Sequence, residues 1–140
     1  MPEFCGFADP KQKSALSAIA AGYIEAALFS SGPFEFPPFA ESDDDRTERN
    51  ADFSDLAPET VSRMVKEAEE FEAENAASLD ECGMDRERAG NVLWYVSAGH
   101  GVGWFDDDEN DALTALDKAT PRRYITSDLY VGDDGKIYLA

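Results

Sequence analysis

Residues 90–111, GNVLWYVSAGHGVGWFDDDEND, constrain this chain more than any other stretch. They hold both tryptophans and the only histidine. Val92, Leu93, Trp94, Tyr95 and Val96 form a dense run of strand-favouring residues. Gly99 and Gly101 can take the positive φ that a tight turn needs. Val102, Trp104 and Phe105 then resume the pattern. The stretch reads as a β-hairpin: residues 92–97 run out, 98–101 turn, and 102–105 return. This hairpin is expected to form the centre of a small sheet.

The rest of the chain is arranged around it. Leu16, Ile19, Ala20, Tyr23, Ile24, Ala27 and Leu28 recur at three- and four-residue spacing, which predicts a helix over 11–30. Ser31, Gly32 and Pro33 stop it. Residues 32–57 make a long connection. Pro33, Pro37 and Pro38 exclude a helix there, Phe34, Phe36 and Phe39 offer apolar anchors, and Asp43, Asp44 and Asp45 are expected to be solvated. A second helix is predicted from Pro58 to about residue 79. Val61, Met64, Val65, Ala68, Phe71 and Leu79 form its buried stripe. Its other face carries Glu67, Glu69, Glu70, Glu72 and Glu74, whose repulsion the packing must outweigh. Gly83 is the expected stop, and Asp85 can cap a short turn over 86–89. Asp106 to Asp111 lead into a third helix ending near residue 119, with acids well placed against its dipole. A second hairpin is predicted from 127–131 and 136–139, turning at Gly132-Asp133-Asp134-Gly135.

At 140 residues, 43% hydrophobic, with nine Phe, five Tyr and two Trp, the chain can build one domain with a real core. Its outlying property is charge: 30 Asp and Glu against 12 Lys and Arg, net −18. Most of that negative charge falls in residues 35–85. Such a chain repels phosphate backbones, so direct nucleic-acid binding is not expected, and basic surfaces attract it. The two cysteines, Cys5 and Cys82, have no motif spacing and fit a reducing compartment. The first residues lack the basic and apolar regions of a signal peptide. No apolar run is long enough for a membrane helix.

The central stretch resembles a family of small uncharacterised proteins of tailed bacteriophages and related mobile elements. The likeness rests on Arg88-Ala89-Gly90, on Gly99-His100-Gly101-Val102-Gly103-Trp104-Phe105-Asp106, and on Leu129-Tyr130-Val131-Gly132-Asp133-Asp134-Gly135-Lys136-Ile137-Tyr138. Tyr23-Ile24-Glu25-Ala26-Ala27-Leu28-Phe29, Ser54-Asp55-Leu56-Ala57-Pro58 and Phe71-Glu72-Ala73-Glu74-Asn75 also look like it. The family's Arg-Asn before the GHG turn is Ser97-Ala98 here, and its Asp-Arg after the turn is Asp106-Asp107. Both departures remove positive charge. The resemblance implies a phage or prophage origin and a host bacterial cytoplasm, and it implies no activity.

Several residues bear on chemistry. His100, between two glycines, has the side chain best suited to acid-base work near neutrality, but a turn residue whose ring bonds to backbone is the plainer reading of a lone histidine there. One His and two distant Cys cannot make a zinc site. Asp106, Asp108, Asn110 and Asp117 fall at positions 1, 3, 5 and 12 of a calcium loop. However, Asp111 stands where that loop needs Gly, and position 12 is Asp rather than Glu. The glycines around His100 lack the P-loop's Lys and Ser/Thr. No cofactor is implied. Of the aromatics, Trp94, Tyr95, Trp104, Phe105, Tyr130 and Tyr138 suit cross-strand packing. An exposed pair among them, ringed by acids, would be a protein-binding patch.

The expected fold is α+β, with two or three helices on a sheet made of the two hairpins. The expected function is non-enzymatic. Asp43, Asp44, Asp45, Glu67, Glu70, Glu74, Trp94 and Trp104 would bind a protein with a basic surface, in the sharpest form by imitating DNA. A small enzyme or ion-binding protein centred on His100 and the 106–111 acids is the other reading.

Overall fold

The computed structural model describes residues 7, 9–31, 33–37, 48–98, 104, 111–120 and 129–139. The fold is α+β: helices account for most of it, and two small antiparallel ladders complete it.

The helix predicted over 11–30 is two helices. α1 (Pro10–Ser14) is capped by the Asp9 carboxylate, which accepts from Lys11 N at 2.9 Å. α2 (Ala18–Ser31) restarts after Ser17, whose hydroxyl accepts from Ala20 N. Such hydroxyls favour a cap over a helix interior, which explains the break. α2 buries Ile19 to Ile24 and Ala26 to Leu28, so it is enclosed on nearly every side rather than along one stripe.

The largest correction concerns residues 92–97. They belong to helix α4 (Arg86–Ser97), not to a strand. The Asp85 carboxylate caps this helix, accepting from Glu87 N (2.8 Å) and Arg88 N (3.2 Å). Its buried residues, Ala89, Gly90, Leu93, Trp94, Val96 and Ser97, recur at helical spacing. Tertiary packing overrides the β-propensity of Val92, Trp94 and Val96. α4 crosses α2 at two glycines. A methyl group on Gly22 would collide with the Glu87 carbonyl, and one on Gly90 with the Ile19 carbonyl. Asn91 Nδ2 donates to the Gly22 carbonyl at 2.6 Å. Trp94 closes the contact, edge-on to Tyr23 at 5.5 Å, with its Nε1 donating to Ser30 Oγ at 2.8 Å. The predicted turn and return strand, apart from Ala98 and Trp104, lie outside the described residues.

α3 (Pro58–Glu81) starts at the predicted proline and buries Met64, Ala68, Phe71 and Leu79. Asn75 interrupts it (φ −123°, ψ 17°), its Nδ2 donating to the Phe71 carbonyl at 2.9 Å. Gly83 ends it at φ 66°. Gly83 N donates to Asp80 O and Met84 N to Leu79 O, the paired bonds of a Schellman cap. α5 (Asp111–Ala119) packs on α3.

The connection over 32–57 carries more structure than expected. β1 (Phe34–Glu35) pairs antiparallel with β2 (Glu48–Arg49), and a 3-10 turn follows at Phe53–Asp55. Phe34 and Phe36 are buried, as their apolar character predicts. The Arg49 guanidinium lies 3.8 Å over the Phe36 ring and holds Asp55 by two 2.9 Å bonds. That pair holds the Asp55 carboxyl below the usual carboxylate range, aided by the Asp52 amide and opposed by burial. The predicted second hairpin is present: β3 (Leu129–Val131) pairs with β4 (Ile137–Leu139). Gly135, at φ 79°, completes its turn. The two ladders are separate two-stranded sheets rather than one. β4 is fastened to the start of α3: the Ile137 carbonyl accepts from Ala57 N (3.0 Å) and Thr60 Oγ1 (2.9 Å). Among the described residues no helix is long and apolar enough to cross a membrane.

Candidate functional site

The β3–β4 hairpin decides which aromatics face solvent. Alternation turns Leu129, Ile137 and Leu139 into the core. The same alternation sets the cross-strand pair Tyr130 and Tyr138 on the outer face, stacked at 5.8 Å. Tyr130 is 50% exposed. Tyr138 OH donates to Asp134 Oδ2 at 2.6 Å, while Asp134 Oδ1 accepts from Lys136 N. The bond to Asp134 pushes the Tyr138 phenol up to about 12, helped by the negative charges of Asp134 and Glu59. The same bond lowers the Asp134 carboxyl. Tyr130 is thus exposed and Tyr138 half-buried beside it, with Asp134 of the turn and Glu59 of α3 within electrostatic reach of the Tyr138 phenol.

α3 continues the acidic surface. Glu59, Glu69, Glu70, Glu74, Asp80 and Glu81 are exposed along it. Some carboxylates are neutralised. Arg86 bridges Glu72 (2.9 Å) and Asp80 (2.6 Å), and Lys66 stands 3.9 Å from Glu70. Glu59, Glu69, Glu74 and Glu81 have no ion pair among the described residues. Beside them runs an open groove of about 580 Å³, where Val61, Val65 and Ala73 supply apolar lining and Glu69 and Glu70 supply charge.

The sequence-predicted site residues separate into three groups. Glu70 and Glu74 lie exposed on α3 as expected, but Glu67 is drawn inward: it accepts from Tyr23 OH at 3.0 Å and pairs with Arg63 at 3.0 Å. Trp94 and Trp104 are not surface residues. Trp94 is 1% exposed at the α2–α4 crossing. Trp104 is 4% exposed, stacked on Phe71 at 5.5 Å with its Nε1 donating to Thr120 Oγ1 at 2.7 Å. Indoles with a partnered N–H are stable when buried, and both serve the core. Asp43, Asp44, Asp45, His100, Asp106, Asp108 and Asn110 lie outside the described residues. Asp117 is half-buried in α5. Among the described residues no three His, Cys, Asp or Glu side chains gather as a metal site would need. What the sequence left undecided was which aromatics are exposed. The two-residue alternation of the short hairpin carries that signal for Tyr130 and Tyr138.

No protein-family model matches this chain, and neither a curated protein nor a solved structure does.

Proposed function

We propose that this chain is a non-enzymatic accessory protein, of the phage kind that its glycine-turn sequences resemble, which binds a basic protein surface. The contact face is the Tyr130–Tyr138 pair together with the carboxylates of α3. The observation that carries the reading is the attachment of the hairpin, with its tyrosine pair, to the acidic helix α3. The hairpin is bonded to the first turn of α3. The hairpin tyrosines therefore sit beside Glu59, at the start of the α3 helix that carries the exposed carboxylates. Tyrosines flanked by carboxylates suit arginine and lysine, through ring faces and ion pairs together. The sharpest form of the proposal is imitation of DNA. The exposed Glu59, Glu69, Glu70 and Glu74 all precede the break in α3 at Asn75, and the helix up to that break is about 26 Å long, within one turn of duplex, about 34–36 Å. Its carboxylates would occupy the groove of a nucleic-acid-handling enzyme and inhibit it.

The test is capture from bacterial lysate by the tagged chain, at low salt and at about 0.5 M salt, where exposed charges are screened. Recovery of a DNA- or RNA-handling protein that salt and added duplex DNA both release supports mimicry. A Tyr130→Ala, Glu70→Gln, Glu74→Gln variant should lose that protein. Undiminished capture by the variant would refute the assigned face.

A further inference from the structure

We propose that the concavity between α2 and α4, formed by Glu25, Phe29, Asn91 and Tyr95, binds a guanidinium group. It shares no residue with the α3–hairpin face and does not depend on that reading. The hollow holds about 160 Å³, room for a side-chain head group and little more. Its lining combines one carboxylate, two aromatic rings and an amide. Phe29 is 60% exposed at the end of α2, the most exposed large hydrophobic side chain among the described residues. Tyr95 is half-buried, and its phenol is raised first by that burial and then by the nearby Glu25 charge. Asn91 spends its amide nitrogen on the Gly22 carbonyl, which leaves its amide oxygen as a second acceptor.

Charge balance argues for a cation. Lys13 lies between two carboxylates, 3.2 Å from Glu25 and 2.7 Å from Glu87. One ammonium against two carboxylates leaves a net negative charge, and the closer pairing is with Glu87. A second cation is therefore favoured on the Glu25 side. Among organic cations the guanidinium fits best. It is planar, stacks on aromatic rings, and presents several N–H donors in a fixed fork to acceptors such as Glu25 and Asn91. An ammonium is a compact, strongly hydrated charge that gains less from the rings.

The test is an NMR titration of the full chain with methylguanidinium, methylammonium and N-acetyl-arginine N-methylamide, following the ring signals of Phe29 and Tyr95. Saturable shifts are expected with methylguanidinium and weaker ones with methylammonium. Glu25→Gln should weaken binding about tenfold, and Phe29→Ala about threefold. Because Glu25→Gln also removes a contact to Lys13, a second variant separates binding from folding. Lys13→Gln removes the internal competitor and should tighten binding, which a merely structural role for Glu25 does not produce. If the capped arginine binds at least as well as methylguanidinium, the natural ligand is an arginine side chain of a partner. If the capped arginine is excluded, it is a free small guanidinium compound. Either result sustains the site. Absence of saturable shifts, equal response to the two cations, or weaker binding by Lys13→Gln overturns it.

Discussion

Gly22 and Gly90 do more for this fold than their size suggests. Each lets one helix backbone touch the other, and each would force the pair apart if it carried a methyl group. Gly90→Ala should therefore cost about 3 kcal/mol, read as a lowered urea midpoint, although alanine is the better helix former. From sequence alone Gly90 reads as the lead-in to a strand. Nothing local marks a close crossing with a residue 68 positions earlier. Titratable residues give predictions of definite sign. Asp55 is lowered in the fold, so the stability from its Arg49 pair is present above the ordinary carboxylate range and is lost as pH falls through the lowered value. Asp55→Asn should flatten that acid limb in pH-dependent denaturation. Tyr138 is raised to about 12 from 10.0, so its contribution is complete below the ordinary tyrosine value and is lost as pH rises toward 12. Its tyrosinate absorbance should appear late in an alkaline titration, and Asp134→Asn should bring it back toward the ordinary range.

At the scale of elements, legibility followed how much the local chemistry alone decides. The start of α3 at Pro58, its end at Gly83 and the Gly132–Gly135 turn were all readable, because proline and glycine act through their own backbone limits. The strand-to-helix error over 92–97 has a different origin. β-branched and aromatic residues favour strands only when a sheet surface is present. Here the Asp85 cap starts a helix, and α2 packs closely against its Gly90 and Trp94. The cap is visible in the sequence, but packing on α2 carries the helix on to Ser97 instead of ending it after one short turn. Asp85→Ala should destabilise the chain by about 1 kcal/mol, measured by thermal unfolding, and reduce the helical circular-dichroism signal of α4. Gly83→Ala forces a left-handed conformation on alanine and should cost about 1 kcal/mol.

Across the whole molecule the governing quantity is the net charge of −18. The chain repels itself, and ion pairs such as Arg86 with Glu72 and Asp80 relieve only part of that. Added sodium chloride should raise the melting temperature through screening, by a few degrees at moderate ionic strength. The same salt should weaken any contact with a basic partner. The acidity of α3 was plain in the sequence. The identity of the exposed aromatics was not, because tryptophans and tyrosines alike satisfy a β pattern, and only the core around Tyr23 and Phe71 shows that the indoles belong inside. The proposed binding face joins the hairpin tyrosines to the α3 carboxylates. Mapping amide and side-chain NMR shifts on addition of the salt-released partner tests it most directly. Perturbation is expected to centre on Tyr130, Tyr138, Glu59, Glu70 and Glu74 and to leave the Trp94 indole N–H unmoved. Perturbation centred elsewhere, with Tyr130 and Tyr138 silent, would contradict it.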